Sequence, residues 1–262
     1  MSATTGGIAF RGVVRGEWVK LRSLRSSVFT VLAAAAVLLG VGLIFAATAG
    51  TDSDGANGVT EPAGITLTGA MFAQLVIGVL GVLVITGEYA TGMIRSTLTA
   101  VPSRLPVLVA KAGVVTAVVF PVMIAAVLVA FFGGQIIMGA NGFPTTTISA
   151  PGVTTALLGT AATMAGVAVM GVALGTLLRN TAGAITTLVA LLFLVPGLGG
   201  LVLPVSWRDN VLKYLPSTAS EAFTRVVPGP ELLSAGTGAA VFAAWVVVPL
   251  LAAAVTLRGR DV

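Results

Sequence analysis

The sequence predicts an all-α polytopic membrane protein with six transmembrane helices, and three observations carry that prediction. Apolar residues make up 56% of the 262 residues and charged residues only 9%, whereas a soluble domain carries about 25% charged residues. The mean hydropathy is +1.06. The apolar residues form six runs of about the 20 residues that a helix needs to cross a bilayer. We therefore expect one transmembrane domain over residues 1–262.

The residue types that are missing exclude several kinds of chemistry. The chain has no cysteine and no histidine. This excludes disulfides, thiol chemistry and the usual zinc and haem ligand sets, and it removes the commonest general base. The isoelectric point of about 10.5 could indicate a nucleic-acid partner, but the basic residues flank apolar runs. A membrane-flanking role explains them better.

The first element is a basic amphipathic helix over residues 8–26. Apolar residues share one face at the helical period and arginines cluster on another, with Trp18 near the boundary. A basic helix of this kind lies at the lipid headgroups. Glu17 falls within the apolar face. It is either solvated at the interface or paired with a cation of the segment between the second and third spans.

Six spans follow, and their ends are set by polar and turn-forming segments. The segment 50–64 is acidic but lacks the ligand pattern of a calcium loop, so we expect a solvated loop and no metal site. The segment 133–152 is uncharged and predicts a second loop, Pro121 predicts a kink, and the glycines of the fourth span predict close helix packing. The predicted spans are 28–47, 65–86, 107–132, 153–178, 182–205 and 236–257.

Two of the connecting segments have a pattern of their own. Between the second and third spans, residues 88–104 form a short charged segment in which Ala90–Thr99 is compatible with a helix. Pro102 limits that helix and Ser103 is placed to cap the next one. Before the last span, residues 206–235 predict two short amphipathic helices broken at Pro216.

The distribution of basic residues predicts the orientation. Eleven of the 14 lysines and arginines fall on one side of the predicted spans, and only Arg208, Lys213 and Arg225 fall on the other. The excess marks the first side as cytosolic. Both termini are then cytosolic, which agrees with an even number of spans.

The chain shows no route to an energy source of its own. A Walker A motif needs a lysine followed by serine or threonine, but Lys20, Lys111 and Lys213 are followed by leucine, alanine and tyrosine. The spans contain no clear mid-bilayer ionisable residue, which ion-coupled carriers usually need. A transporter of this composition would depend on an ATPase outside the chain.

Residues in three regions carry a resemblance to a known family. Glu88-Tyr89 at the end of a span is followed by Gly92, Arg95, Leu98, Pro102-Ser103-Arg104 and Lys111. The run Glu17 to Ser23, with Trp18, Lys20 and Arg22, and the run Lys213 to Ser217 add to it. Together they resemble the permeases of ABC type-2 transporters.

The resemblance implies a set of partners and site residues. It implies a P-loop ATPase subunit that binds ATP and Mg²⁺, no cofactor on this chain, a second permease chain, and a cytoplasmic-membrane location. Residues 88–104 would be the coupling helix that docks on the ATPase, and short helices of 206–235 would dip into the outer leaflet, with Trp207 and Tyr214 at the interface. The coupling residues would be Glu88, Tyr89, Gly92, Met93, Ile94, Arg95, Leu98, Pro102 and Arg104.

The function expected from this resemblance is export of a hydrophobic or amphipathic substrate such as a drug, antibiotic, lipid or peptide. No catalytic constellation stands out, so we do not expect an enzyme. Glu88, at the end of the second span, either anchors the interface or pairs with Arg95 or Lys111, or it fixes the coupling helix. Two alternatives stay open on the sequence. One is a self-sufficient secondary carrier or channel, and the other is a membrane assembly factor that transports nothing.

Overall fold

The computed structural model describes residues 10–49, 61–100, 104–204 and 210–259. Over these residues it consists of helices and turns without a β-strand. The predicted all-α architecture with six membrane-spanning helices is confirmed. The six helical segments that are long and apolar enough to cross a membrane are Arg25–Thr48, Pro62–Ala90, Leu105–Ala140, Val153–Leu178, Thr181–Val202 and Ala235–Arg258.

The N-terminal amphipathic helix is separate from the first span. Helix α1 covers Phe10–Ser23 and α2 covers Arg25–Thr48. Leu24 between them has φ −81° and ψ 97°, an extended conformation that interrupts the helical hydrogen bonds. The predicted amphipathic helix 8–26 therefore ends earlier than expected, and α2 begins before residue 28.

The second span contains a short helix and a long one, α3 at Pro62–Leu67 and α4 at Ala70–Ala90. Gly92 follows with φ +71°, a left-handed conformation that glycine adopts without strain and that ends many helices. The predicted short helix is then present as α5, Met93–Ala100. Its predicted neighbours Pro102 and Ser103 lie outside the described residues.

The third span is longer than predicted. Helix α6 covers Leu105–Ala140 and continues through Pro121, so the predicted end at residue 132 is wrong. The last two turns pack against α3, because the Gln135 amide nitrogen lies 3.3 Å from the Pro62 carbonyl oxygen. The backbone N–H of Thr146 donates to the other end of the same amide at 2.7 Å. These contacts stabilise a helix over residues 133–140, which were predicted to be part of a loop.

Helix α7, Val153–Leu178, is the centre of the bundle. Within its most apolar stretch of 18 residues, 78% of the residues are buried, which is the largest share among the six spans. It packs against α4 and α6, as well as the last helix. Close contact with α4 depends on glycine, since a Cβ at Gly171 would lie 2.5 Å from the Gly78 carbonyl oxygen. The small residues of the fourth span thus act in packing, as predicted.

The fifth span has three parts: α8 at Thr181–Val189, a π-helical turn at Ala190–Leu194, and α9 at Val195–Val202. The span continues through Pro196, which follows this widened turn closely. Proline has no N–H and its ring displaces the carbonyl of the preceding turn, and a π-turn accommodates both effects within a continuous helix.

The remaining helices complete the bundle. A 3₁₀ turn at Leu212–Tyr214 precedes α10, Pro216–Thr224, and α11 is Ala235–Gly259. Two helical segments were predicted here. The predicted break at Pro216 is present: Leu215 is extended, with φ −69° and ψ 151°, and Pro216 occupies the first position of α10, where its missing N–H costs nothing. Helices α5 and α10 lie at opposite ends of the bundle, which we call the α5 end and the α10 end.

Candidate functional site

Four charged side chains form a cluster at the α5 end, and we call Glu17, Lys20, Glu88 and Lys111 the ion-pair cluster. The ammonium of Lys111 lies 2.6 Å from Oε2 of Glu17 and 2.8 Å from Oε1 of Glu88. The ammonium of Lys20 lies 2.7 Å from Oε1 of Glu17 and 3.0 Å from Oε1 of Glu88. Each lysine bridges both carboxylates, and the charges balance.

The amphipathic pattern of α1 places Glu17 in this cluster. The buried residues of α1 are Val13, Glu17 and Leu21, spaced four apart so that they form one stripe. Glu17 is 4% exposed. Its position in the apolar face is explained by pairing with Lys111 from α6, which is one of the two interpretations left open by the sequence. The solvated alternative is wrong.

Burial makes the cluster energetically important. Side chains of Glu17 and Glu88 are 5% exposed and that of Lys111 is 2% exposed, while Lys20 is 29% exposed. Removing charged groups from water costs several kcal/mol for each ion. Only close pairing of opposite charges offsets that cost, so the four side chains depend on one another.

The pKa of Lys20 is shifted by its partners in the cluster. Burial lowers the pKa of Lys20, but the hydrogen bond and charge of Glu17, together with those of Glu88, raise it by more, and the net pKa lies above the ordinary 10.5. The folded-state pKa is raised, so the stabilisation that Lys20 provides is complete at neutral pH. It is lost only as the pH rises through that elevated pKa.

The cluster also holds α5. The Lys20 ammonium donates to Oγ1 of Thr97 at 3.1 Å, which connects α5 to α1. One turn before Thr97 on the same side of α5, Ile94 is 3% exposed and packs against Val13, Ile85 and Val107. The prediction that Ile94 offers an apolar contact to a partner is therefore wrong, because this side chain is part of the protein's own core. Met93 is 41% exposed and remains accessible.

Several other predicted residues have clear positions at the same end. The Arg104 guanidinium donates to the carbonyl oxygen of Leu257 at 2.9 Å, where α11 ends and free carbonyls attract a cation. The guanidinium carbon of Arg179 lies 5.4 Å from the centre of the Tyr89 ring, a cation–π contact. Glu88, at the end of α4, is shared by Lys20 and Lys111.

Some predicted site residues are not brought into the cluster. Trp18 and Arg22 lie on the exposed side of α1. Gly92 provides a left-handed turn, and a Cβ there would meet nothing within 4 Å, so no close approach inside the chain requires it. The side chains of Arg95 and Leu98 lie outside what the structure describes, as do Pro102 and Trp207.

Residues predicted at the other end lie in a packed segment. Tyr214 is 47% exposed, and its carbonyl oxygen accepts a 2.7 Å hydrogen bond from the indole N–H of Trp245 on α11. Further along, the backbone N–H of Val226 donates to Oε1 of Glu61 at 2.5 Å. The segment before the last span is thus bonded to two spans.

Sequence reasoning identified Lys111 as a possible partner of Glu88 and missed Thr97. The ion pair of Glu88 with Lys111, which lies two turns inside α6, is present in the structure. Thr97 had no signal, because only the rotation of α5 about its axis brings the hydroxyl to Lys20. A cavity of about 320 Å³ borders the cluster, lined in part by Leu83, Thr91 and Met93.

Comparison with known proteins agrees with this architecture. A search of curated protein sequences found no match. A family model described as "ABC-2 family transporter protein" matches residues 13–197, which is well over half of the chain and includes most of α1, all of α5 and all four members of the ion-pair cluster. The chain belongs to the ABC-2 family of transporter proteins.

Proposed function

We propose that this chain is the permease subunit of an ABC exporter and that a separate ATPase drives it by binding α5. The observation that carries this proposal is the ion-pair cluster, which joins the short helix α5 to α1, α4 and α6 at one end of the bundle. A helix held in this way transmits a force applied to it into several spans at once.

The connections of α5 support a mechanical role. Lys20 binds Thr97 on α5, Glu17 on α1 and Glu88 at the end of α4, while Lys111 extends the same network to α6. Ile94 adds an apolar contact with α1, α4 and α6. Because the charged groups are buried and mutually dependent, a displacement of α5 moves these helices as a unit.

The exposed residues of α5 provide the docking surface. Met93, Ser96 and Thr99 are exposed, and Met93 also lines the cavity that borders the ion-pair cluster. The ATPase would supply a cleft for this face and would bind ATP and Mg²⁺ itself. Arg95 and Leu98 belong to the same proposed contact on the basis of the sequence.

A charge on the docking surface is expected to break the contact with the ATPase. We expect Met93→Asp to reduce co-purification of the ATPase and permease-dependent ATP hydrolysis at least tenfold, because an unpaired charge in an interface is costly to desolvate. The folded permease should persist, since Met93 is 41% exposed. Size-exclusion chromatography and an ATPase assay on the reconstituted complex measure both quantities.

Ala182→Asp is the matched control. Ala182 is exposed in the first turn of α8, at the same end of the bundle, where a helix N-terminus favours an acidic residue. Its ATPase association should be unchanged. Equal loss in both variants would contradict docking through α5, and ion-driven flux by the purified chain without any ATPase would favour a secondary carrier instead.

The complete transporter would contain two permease chains and two ATPase chains. In its most apolar window, the fifth span has only 11% of its residues buried within the chain, the smallest share among the six. Such a face suits a second permease chain, with the substrate path between the chains and lined by the first, second and fifth spans. The apolar walls fit a hydrophobic or amphipathic substrate entering from the cytoplasmic membrane.

Labelling of single cysteines tests the proposed orientation, and the native chain has no cysteine to interfere. We expect Thr145→Cys, in the exposed turn after α6, to react with an impermeant thiol reagent added outside intact cells. Ser96→Cys on α5 should react only after the membrane is opened. Both side chains are exposed, so accessibility differs only through the membrane. The reverse pattern would contradict cytosolic termini.

A further inference from the structure

A cleft at the α10 end has the features of a ligand-binding site. It has a volume of about 470 Å³, within the range of roughly 300–1,000 Å³ that small-molecule sites occupy. Its walls come from four parts of the chain: the α3–α4 segment, α7, the fifth span and α10. It lies at the opposite end of the bundle from the ion-pair cluster.

Two hydroxyl groups in this cleft are buried without a hydrogen-bond partner. They are Oγ1 of Thr163, on a residue that is 5% exposed, and Oγ of Ser217. Two neighbours in the same lining behave differently. The hydroxyl of Thr160 donates to the Ala156 carbonyl oxygen at 2.7 Å, and that of Ser220 donates to the Ser217 carbonyl oxygen at 2.7 Å. Leaving a buried hydroxyl unpaired costs about 1–3 kcal/mol, so this pair calls for a polar ligand group.

The charged groups in the lining already have partners. Glu221 and Arg225 pair with each other at 2.7 Å. The carboxylate of Glu61 accepts from the backbone N–H of Val226 at 2.5 Å and of Val227 at 3.3 Å. An anionic ligand would be repelled by the carboxylates of Glu61 and Glu221, and a charged group that pairs with Glu221 or Arg225 would have to displace their ion pair. A neutral ligand would do neither.

The rest of the lining is apolar and adaptable. It includes Met71 and Met164, whose flexible side chains fit varied shapes. Leu192 and Phe193 come from the π-helical turn of the fifth span, and such turns occur often at functional sites. This wall suits an alkyl or aromatic group.

We propose that this cleft binds a neutral amphipathic molecule that carries hydroxyl or amide groups. Its polar end pairs with Thr163 and Ser217, with Gln74 nearby in the lining, and its apolar part lies against Met164 and Phe193. If the bound molecule is the transported substrate, that step rests on the proposed export function. Binding itself does not, because every lining residue belongs to this chain.

A photoreactive probe tests the proposal on the full chain in lipid nanodiscs without any ATPase. The probe is a monoacylglycerol with a diazirine in its acyl chain, which is neutral and carries two hydroxyls. We expect mass spectrometry to locate the label on α7, the fifth span or α10 around the cleft. The corresponding fatty acid and fatty amine, with the same diazirine, should label these positions at least fivefold less.

Matched variants separate hydrogen bonding from general packing. Thr163→Val should reduce labelling about fivefold, because losing one hydrogen bond worth about 1 kcal/mol weakens binding by about that factor. Ser217→Ala should do the same. Thr160→Val should have no effect, because that hydroxyl is already bonded within α7. Removing the unpaired Thr163 hydroxyl should leave the melting temperature equal or higher.

A steric variant provides an independent check. Gly197 lines the cleft and a Cβ there meets nothing within 4 Å, so Gly197→Leu should fill the space and abolish labelling. A Cβ at Gly200 on the same helix also meets nothing within 4 Å, but Gly200 is not in the lining of the cleft. The probe should therefore label Gly200→Leu normally.

Three results would overturn the proposal: no label in the cleft, full labelling of Thr163→Val, or equal labelling by the charged probes. A lower melting temperature of Thr163→Val would also contradict it, by showing that the hydroxyl is already satisfied by water. Loss of ATPase association would contradict the proposed function, but it would leave each of these measurements unchanged.

Discussion

Lys111→Met is expected to destabilise the protein by about 3–5 kcal/mol, the usual cost of removing one partner from a buried ion pair. Lys111 is 2% exposed and bridges Glu17 and Glu88. Without it, two buried carboxylates share only Lys20, and the cluster carries a net negative charge. Thermal or denaturant unfolding of the purified chain measures the change.

Two variants distinguish charge balance from lost packing. Lys20→Met also removes one positive charge that pairs with Glu17 and Glu88. Because Lys20 is 29% exposed, water can replace part of its role, and the loss of stability should be smaller. Lys111→Met combined with Glu88→Gln restores neutrality and should recover part of the stability. A double variant that is as unstable as the sum of its single variants would show that the charges do not depend on one another.

The sequence was sufficient to predict the elements that depend on local composition. Long apolar runs define the six spans because no other structure satisfies the backbone in lipid, and α5 was visible as a short polar segment between two of them. The end of α6 was not predictable in the same way. The contact of Gln135 with Pro62 comes from a distant part of the chain, and the neutral segment after residue 132 carries no signal of it.

The candidate site was predicted in part for a related reason. Helical spacing showed that Glu17 lies in an apolar stripe, but only the arrangement of α1, α4 and α6 decides which cation it meets. For Ile94 the residue was identified but its role was predicted wrongly. An apolar residue on a short surface helix fits either a partner or the protein's own core, and its contact with Val13 depends on the rotation of α5.

These two cases change the design of mutations at the α5 end. Ile94→Asp would place a charge among Val13, Ile85 and Val107, and loss of transport would then report a damaged fold. Met93 is the informative position, because its exposed side chain lets docking change while the core stays intact. The ion-pair cluster should likewise be probed with stability measured beside activity.

Gly171→Val is expected to prevent the native packing of the bundle altogether. A Cβ at Gly171 would lie 2.5 Å from the carbonyl oxygen of Gly78 and 2.9 Å from the backbone nitrogen of Val82. Both atoms belong to the α4 backbone and cannot rotate away, so α4 and α7 would have to separate. This pair of helices forms the most extensive contact among the described elements. Overpacking usually costs about 1–3 kcal/mol when side chains can adjust. Here the colliding atoms belong to the backbone and cannot adjust, so we expect a larger cost.

The measurement is the folded fraction after extraction, by size-exclusion chromatography and resistance to proteolysis. Gly113→Val is the matched control, because it makes the same change in α6 at an exposed position where a Cβ meets nothing within 4 Å. It should fold like the native chain. Gly81→Val should fail like Gly171→Val, since its Cβ would collide with the backbone of Ala168 across the same contact. Normal folding of both α4–α7 variants would mean that the two helices do not approach as closely as the structure places them.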